Sequence, residues 1–244
     1  MDLPHIRHIV PEPRLARYRD AVDGNDDALH GFYLWCQRLS LALFADIATL
    51  EVALRSAIAR ELVAEYGVQW YARRDLFDDD GTRAISAAWR QAGLQQLRDD
   101  PSIGEEVIEG KLVAALTFGF WVKLLGRGSY AGTQPLRTRR IYDTLLWRPA
   151  LSKALPHAPS RRDAEHAGSI VRAARNRIAH HEHIAWGIPL PGQQRRLTVR
   201  QVHADLCLLA GFISREALVW VAATTELGTT IEGCPIDSAR LALG

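Results

Sequence analysis

The stretch LSLALFADIATLEVALRSAIAREL, Leu39 to Leu62, decides the fold class. Leu39, Leu43, Ile47, Leu50, Leu54, Ile58 and Leu62 recur at steps of three and four residues, the period that lines up apolar side chains on one face of an α-helix. Upstream, Asp26 and Asp27 follow Gly24, and acidic groups favour a helix N-terminus. Downstream, Gly67 stands where such a helix would end. The pattern predicts one helix from Asp26 to about Tyr66, ~60 Å long at the usual rise, with Gly31 as its weak point.

The rest of the chain reads in the same way. Asp78 to Gly81 is a turn and a helix start, and helical pattern runs from Thr82 to Leu97. Pro101 and Gly104 mark a loop, and a third helix is expected from Glu105 to Leu125. That helix carries Phe118-Gly119-Phe120-Trp121, read either as core packing around a close helix contact at Gly119 or as a platform for stacking RNA bases. Gly126 to Pro135 is glycine-rich and reads as a loop. A short segment, Ile141 to Trp147, precedes Pro149, and another ends at Pro156 and Pro159. Further helices are expected from Arg161 to about His183 and from Thr198 to Thr225, with Gly187, Pro189, Pro191 and Gly192 as a loop between them. No segment reads as a strand-rich domain. The expectation is an all-α fold, a single helical bundle over residues 14–228 followed by a loosely ordered tail, 229–244.

Composition agrees. The 244 residues are 48% hydrophobic and 24% charged, ordinary for a globular chain that buries a core. Cys36, Cys207 and Cys234 have no spacing that suggests a disulfide framework or a zinc site. Met1 to Arg14 lacks the apolar core of a signal peptide, and apolar runs are broken by charges too early to span a membrane, so a cytoplasmic protein is expected. Net charge is only +2, but between Arg137 and Arg200 thirteen Lys/Arg face four Asp/Glu, a local balance of +9 that leaves −7 for the rest. That segment, with Arg161, Arg162, Arg172 and Arg177, is a candidate for binding a polyanion; the alternative is a solvated surface whose acidic partners come from elsewhere in the fold.

The chemistry concentrates in Arg175-Asn176-Arg177-Ile178-Ala179-His180-His181-Glu182-His183. Asn176 and His180 are four apart, so a helix puts them on one face. Arg175 is five from His180, but its length lets it reach the same point if the helix turns near its end. A guanidinium, an amide and an imidazole suit a phosphodiester: the arginine grips phosphate oxygens, and the imidazole gives or takes a proton near neutral pH. RNA supplies its own nucleophile, the 2′-OH, so no metal is required. Other readings stand beside this one. His and Arg at a helix C-terminus complement the helix dipole. Asn176 and His180 could form a buried hydrogen-bonded pair. A metal site of His180, His181, Glu182 and His183 lacks the zincin spacing.

The run from Arg175 to His181 resembles the signature of the HEPN superfamily: an Arg, a polar residue directly after it, and a His a few residues on. In the Abi-like (abortive-infection) family this segment typically reads Arg-Asn, two residues, Ala-His-His, and the chain has it unbroken. Leu50-Glu51-Val52-Ala53-Leu54-Arg55 resembles the family's N-terminal helix signature, Trp70-Tyr71 follows it, and Leu116 to Trp121 resembles its central aromatic motif. Leu145-Leu146-Trp147 and Pro149-Ala150-Leu151 follow in order, so the likeness covers roughly Leu15 to Trp220.

The resemblance implies a HEPN-like helical bundle with additional helices, and a homodimer that joins two copies of the motif in one cleft. It implies metal-independent cleavage of RNA to a cyclic phosphate, in phage defence or as a toxin, with no cofactor. Arg175 would hold the scissile phosphate, Asn176 would position it or the histidine, and His180 would move protons. His181 is a secondary candidate, as are Glu51 and Arg55, which could line the cleft or simply pair along their helix. Toxins of this type controlled by a nucleotidyltransferase antitoxin often carry a Tyr two residues after the His; Glu182 stands there, against that route of control. The alternative expectations are a non-catalytic RNA-binding HEPN module that holds a small regulatory RNA, and a protein scaffold with a relic motif.

Overall fold

A computed structural model describes residues 6–190, 192 and 194–244; Met1 to His5 of the N-terminal reading and Pro191 of the loop reading lie outside them. The fold is all-α, with two short two-stranded antiparallel sheets. Backbone contacts divide it into two compact units, each built from separate stretches of chain: Met1–Ile47, Ala173–Ala204 and Ala223–Gly244 form the first, and Ala48–Arg172 with Asp205–Ala222 the second. Among the described residues no helix is long and apolar enough to cross a membrane.

The helix read from Leu39 to Leu62 is α2, Asp26–Tyr66, 41 residues without interruption. All seven residues of its stripe are fully buried, each worth ~1.5–3 kcal/mol of transfer free energy. It starts at Asp26 as expected, and Asn25 caps it: its side-chain oxygen accepts from the backbone N–H groups of Asp27 and Ala28.

In the first unit α2 packs with α1, Glu12–Ala21, a helix that the N-terminal composition did not signal. Tyr18, Phe32 and Trp186 meet edge to face, with ring centroids 5.3–5.9 Å apart. The expected loose tail is docked. Helix α11, Leu227–Glu232, runs across the predicted boundary between bundle and tail, and the Trp35 indole donates to the Thr230 carbonyl at 2.8 Å. The last residues trade backbone hydrogen bonds with Ala185, Val199 and Arg200, and Leu243 is buried.

The second unit shows where local chemistry overrides periodicity. The helix expected over Thr82 to Leu97 is two, α3 (Asp79–Gln91) and α4 (Leu94–Arg98), split where Gly93 turns left-handed at φ 61°. The helix expected over Glu105 to Leu125 is also two, α5 (Glu105–Ala115) and α6 (Phe118–Leu124), because the Thr117 hydroxyl caps α6 by accepting from Phe120 N. Pro149 does not end a segment. It sits inside a π-helix, Asp143–Leu151, followed by one turn, α7 (Ser152–Ala154).

The remaining elements are α8, Arg161–Ala179; α9, Val199–Ile213; and α10, Arg215–Thr224. The break between α9 and α10 falls at Ser214, whose hydroxyl accepts from Ala217 N. A small hairpin begins in each predicted loop and closes beyond it: β1 (Tyr130–Ala131) pairs with β2 (Thr138–Arg139), and β3 (Ile188–Pro189) with β4 (Arg196–Leu197).

Phe118, Phe120 and Trp121 are buried, and Trp121 packs against Trp70. The aromatic run is core, not an RNA platform. The close contact is also not at Gly119, where a methyl group would have ordinary room; it is at Gly168 of α8, where a Cβ would lie 3.2 Å from Val122 of α6. Cys36 is buried, and Cys207 and Cys234 are half-buried.

Candidate functional site

The candidate site lies at the C-terminal end of α8, where the sequence predicts helix as far as about His183. The helix stops at Ala179. His181 turns left-handed at φ 56°, a conformation that costs most residues ~1–2 kcal/mol and that His enters more often than most. Its backbone N–H donates to Ile178 O and that of Glu182 to Arg177 O, both at 2.9 Å. These two bonds make a Schellman turn with His180 as the C-cap and a histidine at the position that glycine usually takes. The chain leaves the helix axis directly after His180.

Arg177 secures the turn. Its Nε donates to the His183 carbonyl at 2.6 Å, and its guanidinium lies 2.6 Å from the Glu182 carboxylate. Burial holds its pKa below the ordinary guanidinium value, with Glu182 opposing that shift. Arg14 of α1 donates to the His181 carbonyl, and the Tyr18 hydroxyl hydrogen-bonds His183 Nδ1. Burial, helped by Arg14, Arg177 and Arg17, lowers His183 to a pKa of about 4. His183 is therefore a neutral packing residue near neutral pH.

The other motif residues are left to solvent. Asn176 and His180 are exposed, one turn apart, with His180 N donating to Asn176 O at 3.0 Å. Among the described residues, neither side chain forms a hydrogen bond or ion pair, so the buried Asn176–His180 pair does not exist. Arg175 is half-buried, and its Nε is enclosed without a hydrogen-bond partner. A buried donor left unpaired costs ~1–3 kcal/mol. Among the described residues no three His, Cys, Asp or Glu side chains converge as metal ligands.

A cavity of about 600 Å³ opens beside the turn, walled by Arg14 and Tyr18 of α1, Tyr33 and Gln37 of α2, and His181 and Glu182. The sequence did not signal it, because α1 was not anticipated.

The other candidates divide. Arg161 is nearly enclosed: its guanidinium donates to the Leu125 carbonyl and pairs with Glu165 at 2.9 Å. Arg162 is exposed, and the alkyl stem of Arg172 lies beside Gly119. Glu51 and Arg55 belong to the second unit, half-buried on α2, and no ion pair joins them.

One polar group was missed. Asp46, on the polar flank of the α2 stripe, is buried; the Thr225 hydroxyl donates to it at 2.6 Å, and His203 Nε2 lies 3.4 Å away. Because the hydroxyl points at the carboxylate and not at the imidazole, this is a satisfied buried acid and not a nucleophile with its base.

The chain matches no family model, no curated protein and no solved structure.

Proposed function

We propose that this chain is an RNA-cleaving protein of the Abi-like branch of the HEPN superfamily, working without a metal, in phage defence or as a toxin. The observation that carries this reading is the state of three side chains. Arg175 has an enclosed, unpartnered Nε, while Asn176 and His180 stand exposed one turn apart at the last turn of the same helix. Arg175 would hold a phosphate oxygen and Asn176 would orient the phosphate. His180 would take the proton of the 2′-OH as that oxygen attacks phosphorus; the 5′-oxygen leaves with a proton, giving a 2′,3′-cyclic phosphate and a 5′-hydroxyl. Two proton transfers call for two imidazoles, which a homodimer with paired motifs would supply.

A denaturing-gel assay on bulk RNA with EDTA present tests the reading. Wild type is expected to cut. His180→Ala and Arg175→Ala are expected to lose ~10²–10⁴-fold, the usual contribution of one such group. RNA left intact by folded, dimeric wild type would defeat it.

A second reading has its own observation. The His180 imidazole is held by no third group, whereas a general base is ordinarily oriented by one. In that reading the chain is an RNA-binding module that holds a small regulatory RNA, and His180→Ala leaves affinity unchanged.

A further inference from the structure

Two of the four arginines that sequence singles out for a polyanion are occupied: Arg177 by its own turn and Arg161 by Leu125 and Glu165. Unoccupied guanidiniums gather elsewhere, on the β1–β2 hairpin of the second unit. From Leu124 to Tyr142 there is no Asp or Glu, while Arg127, Arg137, Arg139 and Arg140 all fall within it. Among the described residues none of the four forms an ion pair. Arg140 donates to the Arg74 carbonyl at 3.4 Å and acts electrostatically on Asp75, and its Nε is enclosed without a hydrogen-bond partner.

The hairpin is built to hold these charges out from the body. Gly128 (φ 72°) passes so close to Arg140 that a Cβ would lie 2.2 Å from its carbonyl oxygen. Arg140 N donates to Ser129 O at 2.7 Å, and Tyr142 N to Arg127 O at 3.2 Å. The Asp79 carboxylate at the start of α3 accepts from Gly132 N at 3.0 Å and pins the outer end. Above this base Arg137 lies 4.3 Å from the centroid of the half-exposed Tyr130 ring, with Arg139 on the same ring at 6.0 Å. Leu136 is 84% exposed.

At the foot of the hairpin is a cavity of about 620 Å³, lined by Arg74, Arg140, Thr82, Ser86, Thr138 and Leu136 among others. Arg73 also reaches it but is paired with Asp75 at 2.7 Å. Asp79 is the only carboxylate among the described residues of its wall, and it is engaged by Gly132.

We propose that the β1–β2 hairpin and this cavity form a second RNA-binding surface, which takes the backbone of a single-stranded RNA. This rests on RNA being the substrate, and adds where its length is held. Free guanidiniums on a pinned scaffold supply phosphate contacts, and the hydroxyls of Thr82, Ser86 and Thr138 suit sugar and phosphate oxygens. The guanidinium planes, the Tyr130 ring and the exposed Leu136 offer faces for unstacked bases, which an acidic protein partner would not need.

The test uses His180→Ala protein, so that RNA stays whole, and a fluorescein-labelled single-stranded RNA of about 20 nucleotides. Anisotropy titrations at 50 and 200 mM salt compare it with the same protein carrying Arg127→Gln, Arg137→Gln and Arg139→Gln. The triple variant is expected to bind about 10–100-fold more weakly at the lower salt. Its log–log salt slope should be shallower by about 2, near 0.7 for each phosphate contact removed. The changes are on exposed side chains, so the melting temperature should be unchanged; an Arg-to-Lys triple, which keeps charge, should retain the slope. Unchanged affinity and slope overturn the proposal, as does binding of polyglutamate in preference to RNA. Wild-type cleavage, measured separately, keeps the two readings apart. Cleavage with no effect of the triple change sinks this surface alone, and loss of binding without any cleavage keeps the surface and sinks the catalytic reading.

Discussion

Arg177 and Glu182 clamp the bend that ends α8: their charged groups are 2.6 Å apart, and the backbone N–H of Glu182 also bonds to the Arg177 carbonyl at 2.9 Å. A Schellman turn usually carries an apolar contact between these two positions. Here an ion pair replaces it, with Arg177 nearly enclosed and Glu182 half-exposed. Arg177→Ala should therefore cost ~2–3 kcal/mol, since the His183 carbonyl also loses its donor. Glu182→Gln should cost under ~1 kcal/mol. Urea denaturation measures both, and equal losses would show that the carboxylate matters more than the geometry indicates.

The left-handed backbone of His181 makes an opposite prediction. His181→Gly should stabilise the protein by ~0.5–1 kcal/mol, because glycine adopts φ near 56° without strain. His181→Val should destabilise it, being β-branched at positive φ. For a chain of this length the glycine variant should melt ~1–4 °C higher. A lower melting temperature would mean that the imidazole makes stabilising contacts outweighing the strain.

His183 predicts an acid-sensitive fold. Its ordinary pKa is 6.5 and burial lowers it to about 4. Between these values the unfolded chain binds a proton that the folded chain refuses. Stability should therefore fall as pH drops from about 6.5 to about 4, and His183 contributes no pH dependence above that window. Because the ring is partly exposed, the loss should be on the order of 1 kcal/mol. His183→Gln should flatten the profile in that window; an unchanged slope would assign it to carboxylates.

Asp78 is buried at the start of α3, where its carboxylate accepts from Gly81 N at 2.8 Å with Lys123 Nζ 3.7 Å away. Asp78→Ala should cost ~1–2 kcal/mol through the lost cap. Asp78→Asn keeps an acceptor and should cost less. If both match wild type in urea, the cap carries no stability.

Much of the candidate site was legible because it is written in single turns of helix. Arg175, Asn176 and His180 could be placed on one element from spacing alone, and their type pointed to a phosphodiester. What spacing could not show was the left-handed His181, which moves the helix end four residues ahead of its expected place at His183. Histidine is not the residue whose presence ordinarily marks such a turn. The sequence reading singled out Arg161 and Arg177, which are held internally, over Arg137 and Arg139, which form no ion pair, since charge in one basic segment carries no sign of burial.

The apolar stripe of α2, repeated over seven positions, determined the longest element and the all-α class, because a 3.6-residue period with that many members has no alternative partner geometry. Local caps and turns that periodicity does not show, and tertiary packing, decided the rest. Helices α3/α4, α5/α6 and α9/α10 break at Gly93, Thr117 and Ser214, where the same residue types would be tolerated inside a helix had packing required it. The tail beyond Glu232 is ordered by backbone bonds to Ala185, Val199 and Arg200. Such bonds use main-chain groups that every residue carries, so they leave no trace in side-chain pattern.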